Sequence, residues 1–447
     1  MGGFVAPGVA EKEALLAATG SADFSELVGK GIPGEVCCSR PLNLPKGKSE
    51  YEVLKELTAL SDKNASADKW NSFCGAGMYD HFVPSATGAI VSRSEFLTAY
   101  TPYQAEVSQG TLQCIYEYQS MICELTGMEV SNASMYDGAT ALAEGAIMAH
   151  SVQKKGSQFI IPASLNPIYK QVLKTYLHGL NLKLVEVPSS ASGAVDLAEL
   201  KKLLNDEVFG VAVQTPNFFG VVEDIAAVAE LKKSSPFVLV VMPNLLSLAV
   251  LEAPGKVGAD IVVGEGQLFS GGLSFGGPLL GFMATHTANI RQMPGRICGK
   301  TVDKSGKRGF VLTAQTREQH IRREKATSNI CSNEGLLALS ATISLSLIGK
   351  EGLVKMANLN IAKTQYAFSA LSKKSTVSIP FSGAVFNEFA VDLKKGTAAE
   401  FIAKAKAKGI LPGVDVSKLG AKEKNRLLLA FTEKKSKEEI DALLELF

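Results

Sequence analysis

Five apolar stretches recur between Gln158 and Gly264, and their alternation with amphipathic segments narrows the folds open to this chain more than any other feature. The stretches are QFIIP, LKLVEVP, FGVAVQ, FVLVV and DIVVG, and between them lie YKQVLKTYLHG, LAELKKLLND and IAAVAELKKS. A strand that returns parallel to its neighbour needs a long crossover, usually a helix, and that crossover is right-handed. Strands that are apolar along their whole length are covered on both faces. An α/β domain with a mostly parallel sheet between two helical layers is expected.

At 447 residues, 46% of them apolar, the chain exceeds what one core supports. Residues 1–95 read as a helical N-terminal arm. Within it, SADFSELVGKGIPGE stops at Gly31 and Pro33, and Ser49 with Glu52 has capping-box spacing. Residues 96–310 read as the large α/β domain, entered by a helix from Gln104 with Leu112, Ile115, Ile122 and Leu125 on one face and Gly127 as its stop. Residues 311–447 read as a helical linker, TREQHIRREKATSN and LLALSATISLSLIG, followed by a small C-terminal α+β domain in which AVFNEFAVDL, AAEFIAKAKAKG, NRLLLAF and KKSKEEIDALLELF alternate strand with helix.

Lys and Arg number 46 against 44 Asp and Glu, a net charge of +2 without a basic patch, so nucleic acid is not an expected partner. Seven cysteines without a C-x-x-C spell neither a disulfide framework nor a zinc site, and the adjacent Cys37 and Cys38 read as half-buried thiols in a reduced compartment. The five histidines lie far apart and show no ligand spacing, so no metal is expected. The N-terminus lacks a basic region before an apolar run, and Ala6 stands where a lipidation signal wants Ser or Thr. Apolar runs such as FVLVV are of strand length. A cytoplasmic protein with no membrane partner is expected.

Three segments could carry chemistry. YDGATALAEG, Tyr136–Gly145, opens a helix whose free amides suit a phosphate, yet Asp137 is placed to accept those amides as an N-cap and would repel a dianion. YTPYQ, Tyr100–Gln104, is a stiff turn with two outward tyrosines, on local grounds a proline turn at a domain edge. The loop GEGQLFSGGLSFGG, Gly264–Gly277, joins two strands, matches neither a dinucleotide fingerprint nor a P-loop, and lies in a stretch with no lysine between Lys256 and Lys300. Glu223 and Asp224 form an acidic turn that caps the helix after it, and no G-x-S-x-G elbow is present.

Long strings then tie the chain to one family. RPLNLP, GAGMYDHFVPS, SRSEFLTAYTPYQAEVSQGTLQ, MICELTGMEVSNASMYDGATALAE, QTPNFFGVVED, GADIVVGEGQ, LSFGGPLLGF, MPGRICGKTVD, LTAQTREQHIRREKATSNICSNEG and SLIGKEGL span nearly its entire length. In these it resembles the P-protein family of the glycine cleavage system, in the branch formed by subunit 1, the alpha chain of the two-chain form. The resemblance implies a pyridoxal-phosphate-dependent transferase-like large domain of fold type I. It also implies a beta chain, subunit 2, that carries the pyridoxal phosphate in place of this chain, an α2β2 assembly, and a lipoylated H-protein that receives the aminomethyl group left when glycine loses CO2.

On this resemblance the position of the Schiff-base lysine falls at Leu268, beside Gln267, and leucine offers no nucleophile. Asn244 stands nearest the place of the carboxylate that faces the pyridine nitrogen, and Asp137 with Gly138 stands at the phosphate turn. Asp137, Gly138, Asn244 and Gln267 thus outline a vestigial pocket, and Leu279 stands where the family pattern has an aromatic residue. No catalytic residue is assigned to this chain. Fold relatives build active sites at dimer interfaces, which makes Tyr100, Thr101, Tyr103 and Gln104 candidates for reaching toward the beta chain's cofactor. Two other readings stand beside this one: a non-catalytic scaffold for the beta chain, and an independent aminotransferase or decarboxylase using Lys256, the nearest lysine before the DIVVG strand.

Overall fold

The computed structural model describes residues 8–36, 40, 42–420 and 422–447. Ala6, Cys37 and Cys38, discussed above, lie outside the described residues. Two compact units divide at Ala65 and Ser66.

The first unit holds the helices Val9–Ala18, Phe24–Gly31 and Glu50–Ser61. The capping box read from Ser49 and Glu52 is present: the Ser49 hydroxyl accepts the Glu52 amide at 3.3 Å, and the Glu52 carboxylate accepts the Ser49 amide at 2.8 Å.

The second unit is organised by a seven-stranded sheet. Its strands are β1 (Val130–Ser131), β2 (Gln158–Pro162), β3 (Lys183–Val187), β4 (Val208–Thr215), β5 (Val238–Pro243), β6 (Ile261–Glu265) and β7 (Gly281–Thr285). They lie in the order β1-β7-β6-β5-β4-β2-β3. All five apolar stretches became strands, and β3, β2, β4, β5 and β6 run parallel. The glycine-rich loop brings the chain back as β7, antiparallel to β6, a return that needs no crossover helix.

Alternate side chains of each strand enter opposite layers. Phe159, Ile161, Ala212 and Val240 pack under the helix Gly138–Gln153 with Ala141, Leu142 and Ala146, while Ile160, Val211, Leu239 and Val241 share the other core with Ala338, Ala341 and Leu345. The last three belong to the helix Gly335–Ser372, which is interrupted at Gly349. By length and composition this helix could cross a membrane, a possibility missed when the apolar runs were read as strand length. Its buried Asn360 and Thr364, together with its share of both the sheet core and the C-terminal core, make it a core helix. Its last turns carry Ala367 and Leu371 against a four-stranded antiparallel sheet of Val377–Ser378, Glu388–Leu393, Arg426–Ala430 and Val414–Asp415.

Two helices differ from expectation. The helix placed from Gln104 begins at Gln109, after a short 3-10 turn at Ala105–Val107, and Gln104 lies outside it. The reason is tertiary: the Gln109 side chain pairs with both the amide and the carbonyl of Phe310, at 2.9 Å each, and fixes the start. Gly127 ends this helix with φ 70°, as read. TREQHIRREKATSN forms only single-turn pieces, because Ala314 and Arg323 have φ of 53° and 56°. The buried Arg317 guanidinium holds the loop by donating to the carbonyls of Ala314, Met293 and Gly295.

Phe159 on β2 and Phe209 on β4 stack with centroids 5.4 Å apart in the core beneath the helix Gly138–Gln153. Phe159→Ala is expected to lower stability by about 3–5 kcal/mol, read as a shifted urea midpoint. A loss under ~1 kcal/mol would show that this layer repacks freely.

Candidate functional site

At the carboxyl ends of β4, β5 and β6, where open α/β sheets place ligands, lies a small cavity. Its volume is about 40 Å³, room for water alone. Gln214, Asn244, Glu265, Gln267 and Leu268 come from the strand ends, Tyr79 and Tyr169 close it, and no lysine lines it.

The centre of this region is Glu265, the last residue of β6. One carboxylate oxygen accepts the amides of Gln267 at 2.9 Å and Leu280 at 2.8 Å, and the other accepts the amide of Gly138 at 2.9 Å. A Cβ at position 138 would lie 3.0 Å from both Glu265 Cβ and the Tyr169 hydroxyl, so a side chain here would crowd the approach of this helix start to the strand end. Asp137 accepts the Thr140 amide at 2.7 Å, the cap read from sequence. Burial pushes the Glu265 carboxyl above its ordinary value; the three amides oppose the shift and Asp137 adds to it. Behind Tyr79 sits Glu388, which accepts the Tyr79 hydroxyl at 2.9 Å and the Ala76 amide at 2.7 Å; burial pushes its carboxyl up to about 7.

Of the residues read from the sequence, Asn244, Gln267 and Leu268 line this cavity. Leu268 is buried on its wall, in the one-turn helix Gln267–Ser270. Gln267 turns its side-chain amide to the carbonyls of Gly271 and Gly272. Asn244 follows β5, and its side-chain oxygen accepts the Leu246 amide at 3.0 Å. Leu279 is half-buried in the return loop. Lys256 is exposed in the segment before β6, packed near Gly127 at the opposite end of that strand. Of the acidic turn, Asp224 caps its helix through the Ala227 amide, while Glu223 instead accepts the Val195 amide and the Asn217 side chain.

A second cavity, about 180 Å³, has Tyr100 and Thr101 on its wall with Phe96, Ile115, Leu336 and Arg296. Tyr103 is exposed, and its hydroxyl accepts from Arg296 at 3.3 Å with the guanidinium 5.5 Å above its ring. Gln104 is exposed at the end of the turn. The four turn residues therefore do not converge on one point.

The model of the glycine cleavage system P-protein matches residues 3–447. The chain belongs to that family. It is 49% identical over 435 residues to a probable glycine dehydrogenase (decarboxylating) subunit 1 of Carboxydothermus hydrogenoformans, covering 97% of each chain. A protein of the same description from Chloroherpeton thalassium is 48% identical over 436 residues, with 98% of this chain and 97% of that one covered. A crystal structure of glycine decarboxylase (P-protein) in inhibitor-bound form superposes with TM-score 0.86 at 39% identity, over 99% of this chain and 100% of the other. A NifS-like protein, at TM-score 0.61 and 13% identity over 84% of this chain and 97% of that one, shares the fold alone, which is the pyridoxal-phosphate fold type I.

Glu265 and Arg296, which line the two cavities, are residues that sequence reasoning passed over. Both lay inside quoted strings, GADIVVGEGQ and MPGRICGKTVD. The available signal was a carboxylate at a strand's carboxyl end just before a glycine turn, the place where such folds keep ligand contacts.

Glu388 supplies a test of the burial argument. Its folded carboxyl titrates at about 7 against an ordinary 4.5, so its contribution to stability is full below about 4.5 and is lost as pH rises through about 7. Glu388→Gln should reduce the fall in stability over that interval by up to about 1.4 kcal/mol per pH unit, measured by denaturant unfolding at stepped pH. An unchanged slope would mean the carboxyl titrates normally.

Proposed function

We propose that this chain is subunit 1 of a glycine dehydrogenase (decarboxylating), and that a homologous subunit 2, not this chain, holds the pyridoxal phosphate. The observation that carries this reading is the Glu265 carboxylate seated on the amides of Gly138, Gln267 and Leu280. Of these donors the Gly138 amide opens the core helix Gly138–Gln153, where a cofactor phosphate would seek it, and an internal anion already takes it. Three further features agree with it. Leu268 provides no amine, Asn244 offers an amide that cannot hold a ring nitrogen protonated by charge, and 40 Å³ does not admit a pyridine ring. The residues present do not fit the group.

When bound in the partner, the cofactor supplies the electron sink that lets glycine lose its carboxylate. This chain's share is a wall at the subunit interface, with the turn Tyr100–Gln104 and Arg296 facing the partner's site. The assembly is α2β2 in the cytoplasm, and lipoylated H-protein accepts the aminomethyl group. Lys256 does not serve an independent enzyme, because it lies at the far end of β6 from the cavity.

The purified chain is titrated with pyridoxal phosphate and followed by absorbance, borohydride reduction and peptide mapping, first alone and then with subunit 2. A bound-cofactor band is expected only with subunit 2, with the reduced lysine in that subunit. A specific reduced lysine in this chain alone would overturn the proposal. Full glycine-dependent CO2 exchange by subunit 2 alone would reduce this chain to a scaffold.

Tyr103→Phe removes the hydroxyl that Arg296 contacts. It is expected to lower glycine turnover by the assembled complex roughly threefold to tenfold, the effect of one ordinary hydrogen bond, without dissociating the subunits. Unchanged kinetics would take Tyr103 out of the site.

A further inference from the structure

Among the described residues, Arg296 is the one charged side chain on the wall of the 180 Å³ cavity, and it is 4% exposed. Its partners are all neutral. Nη1 reaches the Ser332 hydroxyl at 3.4 Å and the Asn333 side-chain oxygen at 3.3 Å, and Nη2 reaches the Tyr103 hydroxyl at 3.3 Å and the Cys331 carbonyl at 3.0 Å. Among the described residues Nε has no hydrogen-bond partner and no carboxylate pairs with this guanidinium. Three of the four bonds stand at or beyond the usual outer limit for N–H···O.

The contrast with the other held arginines is internal to the molecule. Arg426 forks onto Asp392 at 2.7 and 2.9 Å, and Arg317 is satisfied by three backbone carbonyls. A guanidinium is permanently cationic and matches a carboxylate with paired N–H groups, and leaving one buried without an anion is costly. Arg296 is therefore under-paired, and it is under-paired beside open space.

The remaining wall sets the ligand's other end. Tyr100 and Thr101 bring hydroxyls, while Phe96, Ile115, Leu336 and Leu339 are apolar. The volume is well below that of drug-sized pockets and takes a ligand of a few heavy atoms. We propose that this cavity is a carboxylate-binding site with Arg296 as its cation. The carboxylate belongs either to a free small acid or amino acid, or to an Asp or Glu side chain of the partner subunit. The site stands on this chain's own geometry, whether or not the chain takes pyridoxal phosphate.

Thermal unfolding and calorimetric titration of the purified chain with acetate and with glycine, against chloride at matched ionic strength, test the proposal. Acetate should raise the unfolding temperature of the wild-type chain, as a ligand of the folded state must. Arg296→Gln should weaken acetate binding at least about tenfold, and Arg296→Lys, which keeps the charge but loses the fork, should fall between. Leu336→Trp adds bulk to the cavity wall and should also abolish binding, which guards against an Arg296 variant that fails to fold. Repeating the titration on the assembled complex separates the sources. Retained binding of acetate or glycine there identifies a free ligand. Binding lost on assembly, with Arg296→Gln weakening subunit association, identifies a partner carboxylate. A wild-type chain that responds to neither probe while Arg296→Gln assembles normally, or an Arg296→Gln chain that binds acetate like wild type, would overturn the proposal.

Discussion

One carboxylate holds together three separate pieces of this chain. Glu265 ends β6, and its oxygens take the amides of Gln267, Leu280 and Gly138, which belong to the short helix after the strand, the return loop into β7 and the start of a core helix. Each of those amides would otherwise lack a partner in a place where Gly138, Gln267 and Leu280 are buried, at about 1–3 kcal/mol apiece. The geometry of the strand ends, the narrowness of the cavity above them and the side chains on its wall all follow from that arrangement.

The two cavities are opposites in their electrostatics. Around Glu265, negative charge has been brought to backbone donors, with Asp137 close enough to push its carboxyl further up and Glu388 behind Tyr79 pushed to about 7 by burial. Around Arg296, a cation has been buried among neutral oxygens and its Nε left without any. The first is a closed account of donors and acceptors, the second an open one. Open sites of that kind belong to surfaces and cavities that meet something else, and the turn from Tyr100 to Gln104 stands beside this one.

Legibility followed the range of the interactions. The alternation of apolar strands and helices, the stop at Gly127, the caps at Asp137 and Asp224 and the capping box of Ser49 with Glu52 are local, decided within a few residues, and each was readable. The start at Gln109 and the broken segment after Ala314 were not, because the first is fixed by Phe310 two hundred residues on and the second by carbonyls held by a buried Arg317. Helical propensity in TREQHIRREK is real but loses to those tertiary bonds.

By itself the sequence determined the layered α/β architecture and, through long family strings, the family; it also determined that no lysine stands between Lys256 and Lys300. These rest on periodicity and residue identity, which are properties of the chain read in order. Only the tertiary structure decided which donors Glu265 takes and what Arg296 leaves unpaired. Glu265 meets Gly138 across 127 positions, and Arg296 meets Tyr103 across 193. Neither pairing leaves a mark in local spacing, because a buried charge is satisfied or left wanting by whichever groups the fold brings to within about 3 Å of it.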